Sequence, residues 1–473
     1  MISNGVKKII PQPIKNIYHL FQAVLANVWY GFPSRKLKVI GVTGTNGKTT
    51  TVQMIAKILE EAGYRIAVAS TINFKIGEKE WVNDTKLTTL SIFGLRKHLK
   101  EALRTGCEYA VIEITSHALD QNRVWGVDFN VAVVTNVTRE HLDYHKTMEK
   151  YRKAKEKLFA QLGKLGRAGK SAAIVNLNME NAESFLKQKA DEKYGYRIKA
   201  QSPKPKAQSD SSKLKVIEAE NVELGAQNTR YQIQNTSFQI NLPGEFNVEN
   251  ALAATCVGIS QGISLEKISK ALETMKGVPG RMERIENDRG LEIIVDYAVT
   301  PDSLEKLYNY INGLKKENAK VIAVFGSCGE RDRGKRPIMG EIVARQVDFC
   351  IVTNEDPYNE NPQKIIDEVF AGVVGINFDK INPANQGSTF PLADESANSS
   401  RSNLRVEGVN CWRILGRREA IKKALQIARP EDIVVVTGKG AEETMAIGDE
   451  RIPWNDPRVI REVLSERMKE EGR

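Results

Sequence analysis

Gly41-Val42-Thr43-Gly44-Thr45-Asn46-Gly47-Lys48-Thr49-Thr50 is the stretch that decides the fold. The residues just before it, Lys38-Val39-Ile40, are β-prone. The run TTTVQMIAKILEE that closes it places apolar residues at helical spacing, with Gly63 where a helix C-cap falls. Strand, glycine-rich turn and helix, in that order, make a phosphate loop, because successive backbone N–H groups and a helix N-terminus face the anion. Gly44, Thr45, Asn46, Gly47 and Thr50 would line the nucleotide. Lys48 would reach the β- and γ-phosphates, and the Thr49 hydroxyl would ligate Mg²⁺. Val42 stands where the strict phosphate-loop pattern begins with glycine, so a glycine-rich turn with a chance Lys-Thr is the plainer alternative.

Outward from this loop the same rhythm repeats. RIAVAS (65–70), YAVIEIT (109–115) and FNVAVVTN (129–136) are β-rich, and helix-period stretches separate several of them. After a Gly/Pro-flanked junction, KGVPGRMERI (276–285), the pattern restarts with LEIIVDY, KVIAVFGSCG, DFCIVTNED and DIVVVTGKG. Strands alternating with helices predict α/β architecture with parallel sheets covered on both faces. The expected organisation is an N-terminal helical segment (1–37), a central P-loop ATPase-like parallel-sheet domain (38–278), and a Rossmann-like C-terminal domain (279–473). The Ser-rich runs 198–213 and 384–403 read as surface insertions.

The bulk numbers narrow the class. A chain of 473 residues is too long for one ordinary core. Its 69 basic against 59 acidic residues leave a net charge of +10, which attracts anions. With no zinc-finger spacing and no RNP-type aromatic motif, a phosphate-rich small molecule explains that charge better than nucleic acid. Five scattered cysteines without CxxC spacing point to a reducing, cytoplasmic setting rather than a disulfide framework or structural zinc. No signal peptide or spanning segment stands out. Ile14 to Tyr30 reads as an amphipathic helix packing on the body, with rest on a membrane surface through Trp29 and Tyr30 as the lesser alternative.

Particular words then carry a resemblance. GTNGKTTT resembles the ATP loop of the Mur ligase family, which also includes folylpolyglutamate synthases and cyanophycin synthetases. EITSHALDQNR (113–123) and TNVTREHLDYH (135–145) are similar to strand-end motifs of its MurE branch. Alone, Glu113 and His141 suit Mg²⁺ beside a phosphate loop, but equally suit an ordinary strand-end acid and a helix-cap histidine. The resemblance implies that both are magnesium ligands. It also implies that Asn136 belongs with the nucleotide contacts and that Thr115, Gln121 and Arg123 lie near a muramoyl peptide. Lys155, by composition one of several lysines on a solvated helix, matches the family lysine that reacts with CO₂. The resulting carbamate is an anion able to bind a second Mg²⁺.

The later motifs extend the match. In PGEFNVENALAA (243–254), Asn247 and Asn250 share a helix face, and their amides suit either the adenine edge or helix capping. Arg281 matches an arginine brought onto the γ-phosphate, and Asp296 matches the aspartate of DYAHTPDSL, although Val299 stands where that motif has histidine. Arg331, in GSCGERDRGKRPIMG, would help bind the incoming amino acid. Glu355-Asp356-Pro357-Tyr358 occupies the segment that reads that amino acid, and the arginine that grips diaminopimelate is missing. Glu355 and Asp356 would instead offer negative charge to an ammonium. Gly438 and Glu442 match GKGHE, with Ala441 in place of the histidine.

The resemblance therefore implies an ATP-dependent acid–amino-acid ligase of peptidoglycan precursor synthesis. It would use ATP and Mg²⁺ to join an amino acid, expected to be a diamino acid, to a muramoyl-dipeptide-type carboxylate. Addition to folate or another peptide, and a non-catalytic ATP-binding module, are the competing readings. About 36 residues precede the ATP domain, too few for the family's uridine-binding domain. A partner protein taking over that role is one expectation.

Overall fold

The β-branched run before the phosphate loop forms β1 (Lys38–Thr43), and the later β-rich runs join it in one sheet. Its further strands are β2 (Ile66–Ala69), β3 (Asn73–Ile76), β4 (Lys79–Val82), β5 (Tyr109–Glu113), β6 (Phe129–Val134), β7 (Ala172–Asn176), β8 (Glu192–Ile198), β9 (Leu214–Leu224), β10 (Thr229–Ile233) and β11 (Thr236–Ile240). The spatial order is β11-β10-β9-β8-β7-β6-β1-β5-β2-β3-β4. This computed structural model describes residues 11–85, 87–162, 170–199, 214–375 and 405–470. Of the expected surface insertions, 200–213 and 384–403 lie outside those residues. The chain divides into two units, one of Met1–Thr138 with Tyr144–Gly277, the other of Arg139–Asp143 with Val278–Arg473.

The middle of the first sheet is parallel: β1 runs alongside both β5 and β6. All three are buried along nearly their whole length, which is why they read as continuous apolar runs. Because the chain passes from β1 to β2 on one side and from β5 across to β6 on the other, loops at the carboxyl ends of β1 and β5 part and leave a crevice. The phosphate loop hangs from the central strand at that point.

The expected parallel sheet forms the middle, and antiparallel strands are added at both edges. β2–β3–β4 and β9–β10–β11 are antiparallel meanders. Their signals were present: Gly77 turns the first hairpin at φ 56°, and Gln234 turns the other at φ 53°. Thr229–Ile233 alternates buried and exposed residues, the pattern of an antiparallel strand with one solvated face.

The N-terminal helix, Gln12–Tyr30, packs on the body as expected, but through small residues. It touches the body through Ala23, Ala26 and Asn27, beside the helix Ile92–Arg104. Arg96, fully buried, holds it there by donating to Asn27 Oδ1 and to the carbonyls of Arg123 and Trp125. The small residues pack, so the large apolar ones are left facing outward.

One buried group in this unit makes its stability pH-dependent. His98 packs against the rings of Phe74 and Trp81, and its Nε2 has no hydrogen-bond partner. Burial pushes its pKa from 6.5 down to about 4. Between those values the unfolded chain holds a proton that the folded one does not, so stability falls as pH drops through the window. The loss approaches about 3 kcal/mol. Urea midpoints at pH 7 and pH 4.5 should differ less in His98→Phe than in the wild type.

The second unit carries its own sheet, of β12 (Glu283–Arg284), β13 (Glu292–Asp296), β14 (Val321–Phe325), β15 (Phe349–Thr353), β16 (Cys411–Ile414) and β17 (Ile433–Thr437), in the order β12-β13-β17-β14-β15-β16. Only the short edge strand β12 runs antiparallel among these described pairs. Ile293, Val295, Ile322, Val324, Val434 and Val436 build its core. Beside β17, Arg417 donates to both carboxylate oxygens of Asp456 and to the Thr437 carbonyl, a fully buried brace. This is an open α/β sheet of Rossmann-like type, with its loops again gathered at the carboxyl edge.

Candidate active site

The phosphate loop owes its shape to two glycines. Gly44 has φ 152°, and a Cβ there would lie 1.8 Å from the Thr135 hydroxyl. Gly47 has φ 80°, and a Cβ there would lie 2.2 Å from Asn250 Oδ1. Gly47 is also the N-cap of the helix Lys48–Glu61, and no side chain caps that helix. The start of a helix favours an anion through its dipole.

Neighbouring segments pin the loop. Asn46 N donates to Asn136 Oδ1 at 2.9 Å, and Asn136 Nδ2 returns to the Asn46 carbonyl at 3.2 Å. The Thr135 hydroxyl donates to the same carbonyl at 2.6 Å. Asn136 thus grips the loop itself. Asn247 and Asn250 are buried and bonded to each other, and Asn250 Oδ1 accepts from the Thr51 hydroxyl. In this arrangement they brace the loop from behind. Gly47→Ala should therefore combine backbone strain with a clash. The expected cost is about 1–3 kcal/mol, with weakened nucleotide binding. Gly63→Ala, where nothing lies within 4 Å, should lose only the strain. Thermal melts with and without ADP check both.

Glu113 ends β5 directly beside Val42 of β1. Its Oε2 accepts from the Thr49 hydroxyl at 3.0 Å and from both N and Oγ1 of Thr71 at 2.9 Å. Thr71 was missed in the sequence; it follows β2 with only a Ser-Thr dipeptide to flag it. Lys155, on the helix Met148–Phe159, is buried, donates to the Gly44 carbonyl at 2.7 Å and lies 4.4 Å from the Tyr151 ring centroid. Lys48 Nζ donates to the Thr45 carbonyl at 2.8 Å. Thr49, Glu113 and Lys155 therefore converge on one loop. His141, at φ 58°, falls in the short stretch grouped with the second unit. Among the described residues no three His, Cys, Asp or Glu side chains gather as a metal cage. A hydroxyl plus one carboxylate suits Mg²⁺, which fills its shell with phosphate oxygens and water.

Beyond Glu113, Thr115 caps the helix Ser116–Asp120 by accepting from Ala118 N, and Gln121 closes that helix. Arg123 donates to the carbonyls of Thr89 and Leu90. Nearby, His145 is buried against Tyr144 and Tyr151, with Nε2 3.0 Å from the Ser116 hydroxyl; burial pushes its pKa down to about 4.

In the second unit the expected substrate residues meet at the carboxyl ends of β13, β15 and β17. Their centre is Lys439, which the sequence reading passed over although glycines flank it. Fully buried, it donates to both oxygens of Asp356 at 2.8 Å and to Glu442 at 2.5 Å. Burial opposes its charge, but Glu442 and Asp356 hold its pKa above the ordinary range. Asp356 also accepts from Ala446 N at 2.7 Å, so its charge is spoken for. Glu355 differs: Oε2 accepts no hydrogen bond, and burial together with Asp356 pushes its pKa up to about 7. Gly438, at φ 112°, lies against that carboxylate, where a Cβ would be 2.8 Å from Oε2. Asp296 accepts from Met282 N at 2.8 Å, while Arg281 stacks on Tyr297 at 4.3 Å. Arg331 is exposed on the loop after β14.

A glycine-rich loop between strand and helix at a sheet's switch point, with a buried carboxylate beside it, is the frame of a nucleotide-binding α/β fold. Residues 42–258 match the Mur ligase middle domain, and residues 280–440 match the Mur ligase, glutamate ligase domain. A UDP-N-acetylmuramyl-tripeptide synthetase of Roseiflexus sp. is 37% identical over 457 residues, spanning 94% of this chain and 82% of that one. A UDP-N-acetylmuramoyl-L-alanyl-D-glutamate–2,6-diaminopimelate ligase of Clostridium tetani is 35% identical over 450 residues, spanning 94% and 81%. A solved structure of a ligase of that same name aligns with TM-score 0.54 and 29% identity, over 91% of this chain and 79% of that one. The chain belongs to the Mur ligase family, and its reaction class is ATP-dependent formation of a carbon–nitrogen bond.

Proposed function

We propose that this ligase adds a diamino acid to the terminal carboxylate of a muramoyl-dipeptide-type acceptor, in the cytoplasm, as a step of peptidoglycan precursor synthesis. The names of its relatives support the acceptor, and five free cysteines support a reducing compartment. Among the described residues no helix is long and apolar enough to cross a membrane.

The reaction has two steps. An acceptor carboxylate oxygen attacks the γ-phosphorus of ATP, the bond to the β–γ bridging oxygen breaks, and ADP leaves. The amine of the amino acid then attacks the acyl carbon of the acyl phosphate and loses a proton, and inorganic phosphate departs. Lys48 and the N–H groups at the start of its helix hold the phosphates and offset charge that builds on them. Thr49, Glu113 and His141, with Lys155 as a carbamate, would hold two Mg²⁺ ions, which supply charge neutralisation at the transferring phosphoryl group. Glu113 is already oriented by Thr71 and Thr49 for that task.

The observation that carries the choice of amino acid is the charge of the Lys439 cluster. Glu355, Asp356 and Glu442 are three acids around one buried lysine, and Glu355 keeps an unbonded oxygen. Such a site favours a second ammonium over a second carboxylate. Tyr358, with Arg451 over its ring, stands where an arginine would grip diaminopimelate. ADP release should therefore rise with lysine or ornithine more than with diaminopimelate, tested with UDP-linked and UDP-free acceptors; preference for diaminopimelate would overturn the choice. Glu355 is anionic above about pH 7, so KM for the amino acid should fall as pH rises through 7. Glu355→Gln should flatten that dependence and raise KM about 10–100-fold, the worth of one charge-assisted bond.

A further inference from the structure

The N-terminal helix Gln12–Tyr30 wears its apolar face on the outside. Ile14, Ile17, Tyr18, Phe21, Val28 and Trp29 are each between 56% and 77% exposed. With Val24 and Leu25, they fall within an arc of about 140° on a helix of 3.6 residues per turn, a stripe roughly 22 Å long. The opposite arc is the one seated on the body through Ala23, Ala26 and Asn27. Such a continuous apolar patch on a folded surface marks a contact to be made.

Charge says with what. The helix carries no acidic residue and one lysine, Lys15, and Arg35, Lys36 and Lys38 follow it closely in the chain. Arg35, Lys36 and Lys38 are exposed just after the helix. An acid-free helix with an apolar stripe rich in aromatic rings, followed by exposed basic residues, complements an anionic lipid surface, where Trp and Tyr settle at headgroup level. The helix is not apolar enough to cross. It can lie in the interface with its outward arc in the acyl boundary.

We propose that this helix docks the ligase reversibly on an anionic bilayer surface. The inference is independent of which amino acid the enzyme adds. The test is flotation of the full chain with vesicles of phosphatidylglycerol and phosphatidylcholine, and with phosphatidylcholine alone, at low and high salt. The wild type should float with the anionic vesicles, less so in high salt. The double variant Phe21→Glu/Trp29→Glu should lose binding by about tenfold or more, because two buried aromatic side chains are forfeited. Phe21→Ser/Trp29→Ser, a milder pair, guards against misfolding. Both should keep ATP-dependent ligation in solution. No flotation, equal flotation on neutral vesicles, or flotation unchanged in both variants would overturn the proposal. So would light scattering that shows a wild-type dimer broken by these changes, since a second copy would then cover the stripe.

Discussion

Lys48→Ala should cut ATP-dependent ligation by about 10²–10³-fold, equivalent to about 2.7–4 kcal/mol of transition-state stabilisation. The lysine opens the helix that follows the phosphate loop, and in the free protein its Nζ rests on the Thr45 carbonyl. That bond swings the ammonium back over the loop, where β- and γ-phosphates would lie. The substitution leaves Gly44 and Gly47, the strained positions, untouched, so the fold should survive. Steady-state ADP release and a thermal melt, read together, check the claim. A variant with near wild-type turnover would remove the phosphate loop from the chemistry.

Lys155→Ala should be nearly as damaging, by about 10² or more in turnover, if its carbamate helps hold magnesium. Its position is unusual for a helix lysine, being buried beside Gly44 and Tyr151 rather than in solvent. The wild type should lose activity when CO₂ is stripped from the buffer and regain it with bicarbonate. The alanine variant should respond to neither. Wild-type activity indifferent to bicarbonate would leave Lys155 as a plain ammonium that steadies the loop.

Most of the architecture was legible because the decisive segments are short-range. β1, the loop and the helix Lys48–Glu61 follow from thirteen or so residues on either side of Gly47, and the buried parallel strands announce themselves by apolar runs. The antiparallel edges were passed over because Gln234 and Gly77 mark turns without changing the β-rich rhythm around them. In the candidate site, the residues read from the sequence sit in long motifs, whereas Thr71 and Lys439 were passed over. Each acts through a neighbour distant in sequence, Glu113 and Asp356 respectively, and such pairing has no period to read. The N-terminal helix shows another limit. Its amphipathicity was plain, but only packing could reveal that Ala23 and Ala26 turn inward and Phe21 and Trp29 outward.

The most direct test of the account follows one oxygen atom. An acceptor whose terminal carboxylate carries a heavy-oxygen label is turned over with ATP, Mg²⁺ and the amino acid, and the released phosphate is analysed. Transfer of the γ-phosphoryl group onto the carboxylate predicts one labelled oxygen in each phosphate released. Unlabelled phosphate, or cleavage of ATP to AMP, would contradict it.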